Sequence, residues 1–427
     1  MRSAQYFINK RILSLLILLL CASFLFYKYI LQVFPGIITT ELMQEYHLTG
    51  VGLGNLAATF YYAYMIMQLF VGILLDKWST RKLTSAAILV CGIGTIAFSQ
   101  SHTAMTAGIS RFMMGVGVSF STVAYLKVAA LWFPANRYAL VSGLLATAAM
   151  AGAIFGEAPL SFFMNSIGWR PALLYVGYGG VILALLFWLI VRDSPVKTTV
   201  KTAPIVLNWR AIAAVLTNRQ NWLLTLYSGL AFSPLAILGG LWGNPFIQEL
   251  YHLDATSAGS LVSLSFIGLG LGSPLLGALA DYTGHRLVLM FYSTALSLVS
   301  ICFVIYWPGL PLWLASTLFL SFGFFLGGFM LAFTVGKEMN RLALAGTVIA
   351  MINASDAFLD AITEPAIGKF LDWRSGNVLV NGAYHFTVTD YRYALSILPI
   401  YLFLSLLCLV GLKRSPNAAQ RNLGKDI

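Results

Sequence analysis

The chain has 427 residues, 59% of them hydrophobic and only 10% charged, with a mean hydropathy of +0.81. Soluble domains average about 25% charged residues, so an ordinary water-soluble enzyme and a disordered nucleic-acid-binding tail are both excluded. The net charge of +11, from 26 Lys and Arg against 15 Asp and Glu, has to be accounted for by where the basic residues fall.

A bilayer core about 30 Å thick takes roughly 20 apolar residues per helix. At that length the chain offers twelve spans: 12–34, 51–75, 83–100, 105–131, 138–163, 169–191, 222–247, 256–280, 287–307, 311–335, 343–370 and 393–412. Arg2, Lys10 and Arg11 precede a first apolar stretch longer than the 7–15 residues of a signal-peptide core, so this helix is expected to be retained. The cysteines at 21, 91, 302 and 408 all fall inside apolar runs and read as small core residues rather than metal ligands or disulfides. Sorted by side, nineteen Lys and Arg share the side of the N-terminus, while Arg170, Lys369, Arg374 and Arg392 lie opposite and three fall within spans. That asymmetry is the positive-inside signature and predicts both termini in the cytoplasm.

Apart from Arg170 and Lys369, which stand at span edges and count with the outer segments, seven charged residues fall within these spans: Lys28, Arg111, Lys127, Glu157, Asp356, Asp360 and Glu364. Each costs about 2.5–3.5 kcal/mol at a helix centre, which excludes lipid-facing positions. Lys28 lies too deep for easy snorkelling, beside Tyr27 and Tyr29, and offers a fixed cation for a carboxylate or for an acid of another helix. The second span carries Tyr61 and Tyr64, and Asn244 and Asn353 add uncharged hydrogen-bond formers to a lining suited to a small amphoteric solute. Lys127 sits near a span end, where snorkelling accounts for it. Asp356, Asp360 and Glu364 share one helix face within about 80°. Three carboxylates so close repel one another, so the cluster suits proton binding, unless Asp360 and Glu364 already stand in a solvated vestibule. Glu157 occupies the comparable place in the first half.

The most polar internal stretch, 192–221, divides the spans into six and six. The loop after the second span, Gly72-Ile-Leu-Leu-Asp76-Lys-Trp-Ser-Thr-Arg81, reappears after the eighth as Gly277-Ala-Leu-Ala-Asp281-Tyr-Thr-Gly284-His285-Arg286, each anchor displaced by the same interval. Such a repeat is the parallel arrangement of two-bundle secondary transporters. The expected fold is an all-α polytopic membrane protein of twelve transmembrane helices: bundles 1–191 and 222–427 about a pseudo-twofold axis, a cytoplasmic linker at 192–221, and a short cytoplasmic tail. In each loop the glycine lets helices approach, and the Asp–Arg pair of Asp76 with Arg81, or Asp281 with Arg286, can brace a turn or latch one conformation against a helix N-terminus.

These loops resemble the signature between the second and third helices of the major facilitator superfamily. Arg111-Phe-Met-Met-Gly115-Val-Gly117 is similar to its fourth-helix motif, and Gly143, Gly152, Gly156 and Pro159 to its Gly/Pro-rich fifth helix. The resemblance implies alternating access, a first helix lining a central cavity, and proton coupling through Arg111. A narrower resemblance, to the Pht-type nutrient importers of intracellular bacteria, rests on the stretches 26–35, 130–137 and 156–160. It implies import of amino acids or nucleosides across a bacterial inner membrane. That branch more often has an acid at the place of Lys28 and a base at the place of Gln32, so the departure leaves the substrate open.

The function expected is proton symport of a small polar solute, with an amino acid favoured. Substrate binding falls to Tyr27, Lys28, Tyr61, Tyr64, Asn244, Asn353 and Asp356, and proton coupling to Arg111, Glu157, Asp356, Asp360 and Glu364. The latch would be Gly72, Asp76, Arg81, Gly277, Asp281 and Arg286. A proton-driven exporter is the alternative; an intramembrane enzyme or a nutrient sensor is more distant. The partners expected are substrate, protons and membrane lipid, with no nucleic acid, no cofactor and no metal, for a protein acting as a monomer. No G-x-x-x-x-G-K-[ST] loop is present for a nucleotide. The five histidines lie in loops or near interfaces, which argues against an intramembrane hydrolase.

Overall fold

The computed structural model describes residues 2–133, 135–193, 215–340, 344–376, 379–380 and 383–412. Among these residues twelve long helical segments follow one another. In the first half, α1 is Arg2–Val33, continued by a 3-10 turn, Phe34–Ile38, and a helix, Thr39–Tyr46. It is followed by α2 (Gly50–Lys77), α3 (Thr80–Ser99), α4 (Ala104–Val118 and Phe120–Trp132), α5 (Ala135–Gly156 and Ala158–Ile167) and α6 (Trp169–Ile190). In the second half, α7 is Arg219–Ile237, a π turn Leu238–Trp242 and Gly243–Tyr251. After it come α8 (Ala255–Thr283), α9 (Arg286–Tyr306), α10 (Leu312–Leu326, Gly327–Met330 and Leu331–Met339), α11 (Ala345–Ser375) and α12 (Val388–Ala394 and Ile397–Val410).

Ten of the segments are long and apolar enough to cross a membrane. The other two, α2 and α11, are 28 and 31 residues long, about 42 and 46 Å at 1.5 Å per residue. Departures from the expected bounds have local causes. The fifth span breaks at Glu157 instead of running through 138–163, because Pro159 has no amide to donate to the Phe155 carbonyl and its ring crowds that turn. The π turn of α7 lies just before Pro245, which has no amide to donate to the Leu241 carbonyl within that turn. Two short paired strands, β1 (Leu379–Val380) with β2 (Ala383–Tyr384), interrupt the helices among the described residues. Most of the expected linker, 194–214, lies outside the described residues.

Lipid as solvent inverts the usual amphipathic rule. On α6 the exposed stripe is Tyr175, Tyr178, Ile182, Leu185 and Leu189, spaced three and four apart and wholly apolar or aromatic. Within each half α1 packs on α5, α3 on α6, α8 on α10, and α7 on α11 and α12. Across the halves α2 runs along α11, α5 meets α8, and the turn at 34–38 meets the turn at 238–242.

The two ends differ. One, the basic end, carries Lys77, Arg81, Lys82, Arg286 and Lys337. At the opposite end the halves touch backbone to backbone: a Cβ on Gly54 would lie 2.5 Å from the Glu364 carbonyl, and one on Gly36 3.2 Å from that of Gly240. At the basic end the same construction on Gly72 or Gly277 meets nothing within 4 Å.

Candidate functional site

Six of the seven charged residues of the spans, all but Lys127, collect between the halves in three tiers. In the middle tier Lys28 is only 6% exposed; its ammonium donates to the Tyr64 hydroxyl at 3.3 Å and lies 4.9 and 4.6 Å from the Tyr29 and Tyr64 ring centres. Cation–π contact of this kind shelters a desolvated ammonium. The Tyr64 hydroxyl also accepts from Asn353 Nδ2 at 3.2 Å, so α1, α2 and α11 meet on one oxygen. Asp356, 8% exposed, accepts from Ser228 of α7 at 3.2 Å and stands within electrostatic reach of Lys28.

The second tier lies toward the opposite end. Arg111 stacks between Phe34 and Phe60, 5.1 and 4.8 Å from their ring centres. Its Nη1 donates to the Leu31 carbonyl at 2.5 Å and its Nη2 to that of Ala57 at 3.4 Å. Pro35 supplies the reason, since it has no amide to donate four residues back to Leu31, and the guanidinium takes that place. Glu364 lies within electrostatic reach of Arg111 across the interface. Its Oε1 and the Tyr61 hydroxyl stand 3.3 and 3.2 Å from the point a Cβ on Gly240 would occupy, so any larger residue there would press on both. Tyr61 Oη, Arg111 Nε and Glu364 Oε2 are buried without hydrogen-bond partners. Asp360 accepts from Ser233 of α7. Asp360 and Glu364 are each 1% exposed, so neither stands in a solvated vestibule.

In the third tier, at the opposite end itself, Glu157 is fully buried and accepts from Asn244 Nδ2 at 3.2 Å. Asn244 is thereby apart from the Lys28 tier. Tyr27 also points elsewhere: its hydroxyl pairs with Thr95 at 3.1 Å inside the first half, against Gly180. Neighbours on a helix diverge by about 100°, so Lys28 facing the interface turns Tyr27 away from it.

The sequence pattern of the Major Facilitator Superfamily matches residues 13–363. The chain belongs to the major facilitator superfamily. It is 24% identical over 282 residues to an uncharacterized transporter of Bacillus subtilis, YybO, a match covering 60% of this chain and 62% of that one. The cyanate transport protein CynX of Escherichia coli is 28% identical over 313 residues, 72% of this chain and 77% of that one. This chain spans less than two thirds of the length of several curated relatives it matches. A bacterial homologue of the human lysosomal transporter Spinster, solved inward-facing and occupied, superposes with a TM-score of 0.73 at 14% identity, covering 92% of this chain and 95% of that one. That likeness is one of fold.

In this superfamily member the arginines of both repeated loops are engaged. Arg286 pairs with Asp281 at 2.7 Å and also with Glu338 at the end of α10. Arg81 donates to the Trp188 carbonyl at 2.6 Å, stacks on the Trp188 ring, and its amide donates to Asp193 at 2.9 Å. The side chain of Asp76 lies outside those described. The close approach expected at Gly72 and Gly277 is absent in this conformation. Lys127 donates to the Leu75 carbonyl, one of the last four of α2, which have no helical donor.

Sequence reasoning missed Ser228, Ser233 and Trp242, the last of which donates to the Glu364 carbonyl at 3.2 Å. It also missed Asp372, whose carboxylate accepts from the Gly50 and Val51 amides at 2.6 and 2.8 Å, capping α2 from the other half. Serine, tryptophan and a carboxylate at a span edge are all common in membrane helices, so nothing in the sequence marks them.

Proposed function

We propose that this chain is a secondary active transporter that moves a small polar solute by alternating access, as a proton symporter acting alone in a bacterial inner membrane. Both termini and the basic end face the cytoplasm, and the bundles 1–191 and 222–427, joined by 192–221, rock about the tiers between them. In this reading the conformation described is closed outside. One observation carries it: Lys28, Tyr64, Asn353 and Asp356, from both halves, meet at a buried level where lipid would exclude them. Such a level suits a solute bound between halves that part alternately.

Lys28 is the partner for a carboxylate and Asp356 for an ammonium, which favours an amino acid, in keeping with the Pht-type resemblance. A second reading, a small anion, is favoured by relatives named for cyanate, L-galactonate and sulfoacetate, and by the unpartnered donors around Arg111. The coupling proton is assigned to the Asp356, Asp360 and Glu364 ladder beside Arg111. Proteoliposomes loaded with an imposed proton gradient test this against labelled amino acids, galactonate and cyanate. We expect gradient-driven accumulation of one class, lost in Lys28→Met; accumulation indifferent to collapsing the gradient removes proton symport.

A further inference from the structure

Glu157 differs from the other buried acids. Asp356 and Glu364 have cations within electrostatic reach, and Asp360 a hydroxyl donor. Glu157 has a single neutral donor, Asn244, on Oε2, and its Oε1 is buried without any partner. Three elements enclose it. α1 packs Ile30 and Val33 against Gly156; α8 passes so close that a Cβ on Gly259 would sit 3.2 Å from Oε2; and the end of α7 supplies Asn244, itself held by Gln248 at 2.9 Å. The ionisable groups nearest along these elements are engaged elsewhere: Lys28 of α1 donates to Tyr64 in the middle tier, Asp254 caps the first turn of α8, and Glu249 pairs with His385 at 3.3 Å.

The contact also lies on the seam. One and two turns further along α5, Ser161 and Asn165 bond Thr256 of α8 at 3.0 and 3.1 Å. Of these contacts joining the halves, only that of Glu157 involves an ionisable side chain. An ionised carboxylate sealed there would have no compensating cation.

We propose that Glu157 is a regulatory proton site: the closed seam accepts it only as the neutral acid, and its ionised form belongs to the state in which α5 has parted from α7 and α8. The site exchanges its proton only with the solution facing this end, because it is sealed when the other end is open. Its proton is therefore not carried across; it sets how the pH outside biases the two conformations. This rests on the orientation given under Proposed function, and it separates the regulating proton from the coupled one.

The test reads distance rather than transport, so no substrate is needed. Spin labels at M105C and W313C, exposed at this end on α4 and α10, are placed in a full-length protein whose four cysteines are serine. Distances are measured by electron double resonance from pH 5 to pH 9. The pair is expected to move from short to long as pH rises in the parent, to stay short at every pH in Glu157→Gln, and to respond with a displaced midpoint in Glu157→Asp. Asp254→Asn, at the cap of α8, is expected to respond as the parent does. A parent indifferent to pH, or a Glu157→Gln response equal to the parent's, overturns the assignment. A response lost in Asp356→Asn but kept in Glu157→Gln also overturns it and moves the switch to the central tier. Failure of proton symport shows separately, as uptake indifferent to the gradient, and leaves these distances unchanged.

Discussion

Arg111 shows how one residue is fixed by a defect elsewhere. Pro35 leaves the Leu31 carbonyl without its helical donor, and Arg111 Nη1 fills the vacancy while its plane is held between Phe34 and Phe60. Lysine cannot reproduce a planar group with donors in two directions. Arg111→Lys should therefore leave a buried acceptor unsatisfied and cost about 1–3 kcal/mol, read as a lower melting temperature in detergent. Returning the amide with Pro35→Ala should shrink that cost, and a double-mutant cycle measures the coupling; equal losses in both backgrounds would break the link between Pro35 and Arg111. At this scale the acids and bases of the tiers are legible in the sequence, because a charge in an apolar span is conspicuous and expensive. Tyr27 is not, since its composition matches that of Tyr64 and only the helix rotation separates them. Ser228 and Ser233 carry no mark until Asp356 and Asp360 are seen across from them.

Among elements, the meeting of α2 with α11 governs closure at the opposite end. Gly50, Gly54 and Gly368 remove side chains so that the backbones touch, as small residues do between membrane helices. The bared N-terminus of α2, with unsatisfied amides and positive dipole, then receives the Asp372 carboxylate from the partner helix. This cap exists only while the halves are joined here, so it favours one conformation and not the other. Asp372→Asn keeps an acceptor but loses the charge, worth about 1 kcal/mol in a partly buried setting, or about a fivefold shift toward separation. Faster hydrogen exchange at the Gly50 and Val51 amides is the expected sign, and unchanged protection would assign the cap no part in closure. The existence of twelve long helices could be read from hydropathy; the break of α5 and the π turn of α7 could not, because each depends on how a proline's lost hydrogen bond is resolved by its neighbours.

For the whole molecule, the repeated loop signature was legible while its contact was not. Gly72 and Gly277 meet nothing within 4 Å, yet Gly36, Gly54 and Gly368, at the other end, are pressed onto backbone. A sequence encodes every conformation the chain visits, whereas one structure displays the contacts of a single state; a glycine idle here is accounted for if the basic ends close in the other. The two roles separate experimentally. Gly72→Leu adds bulk where this conformation has open space, so the melting temperature should change little beyond the gain in helix propensity of about 1 kcal/mol. The same bulk obstructs approach of the basic ends, so spin labels across the opposite end should stay at the short, closed distance even at pH 9, where the parent opens. A Gly72→Leu protein that still opens there would show that the basic ends need no close approach at Gly72, and the loop signature would then be left with a role in topology alone.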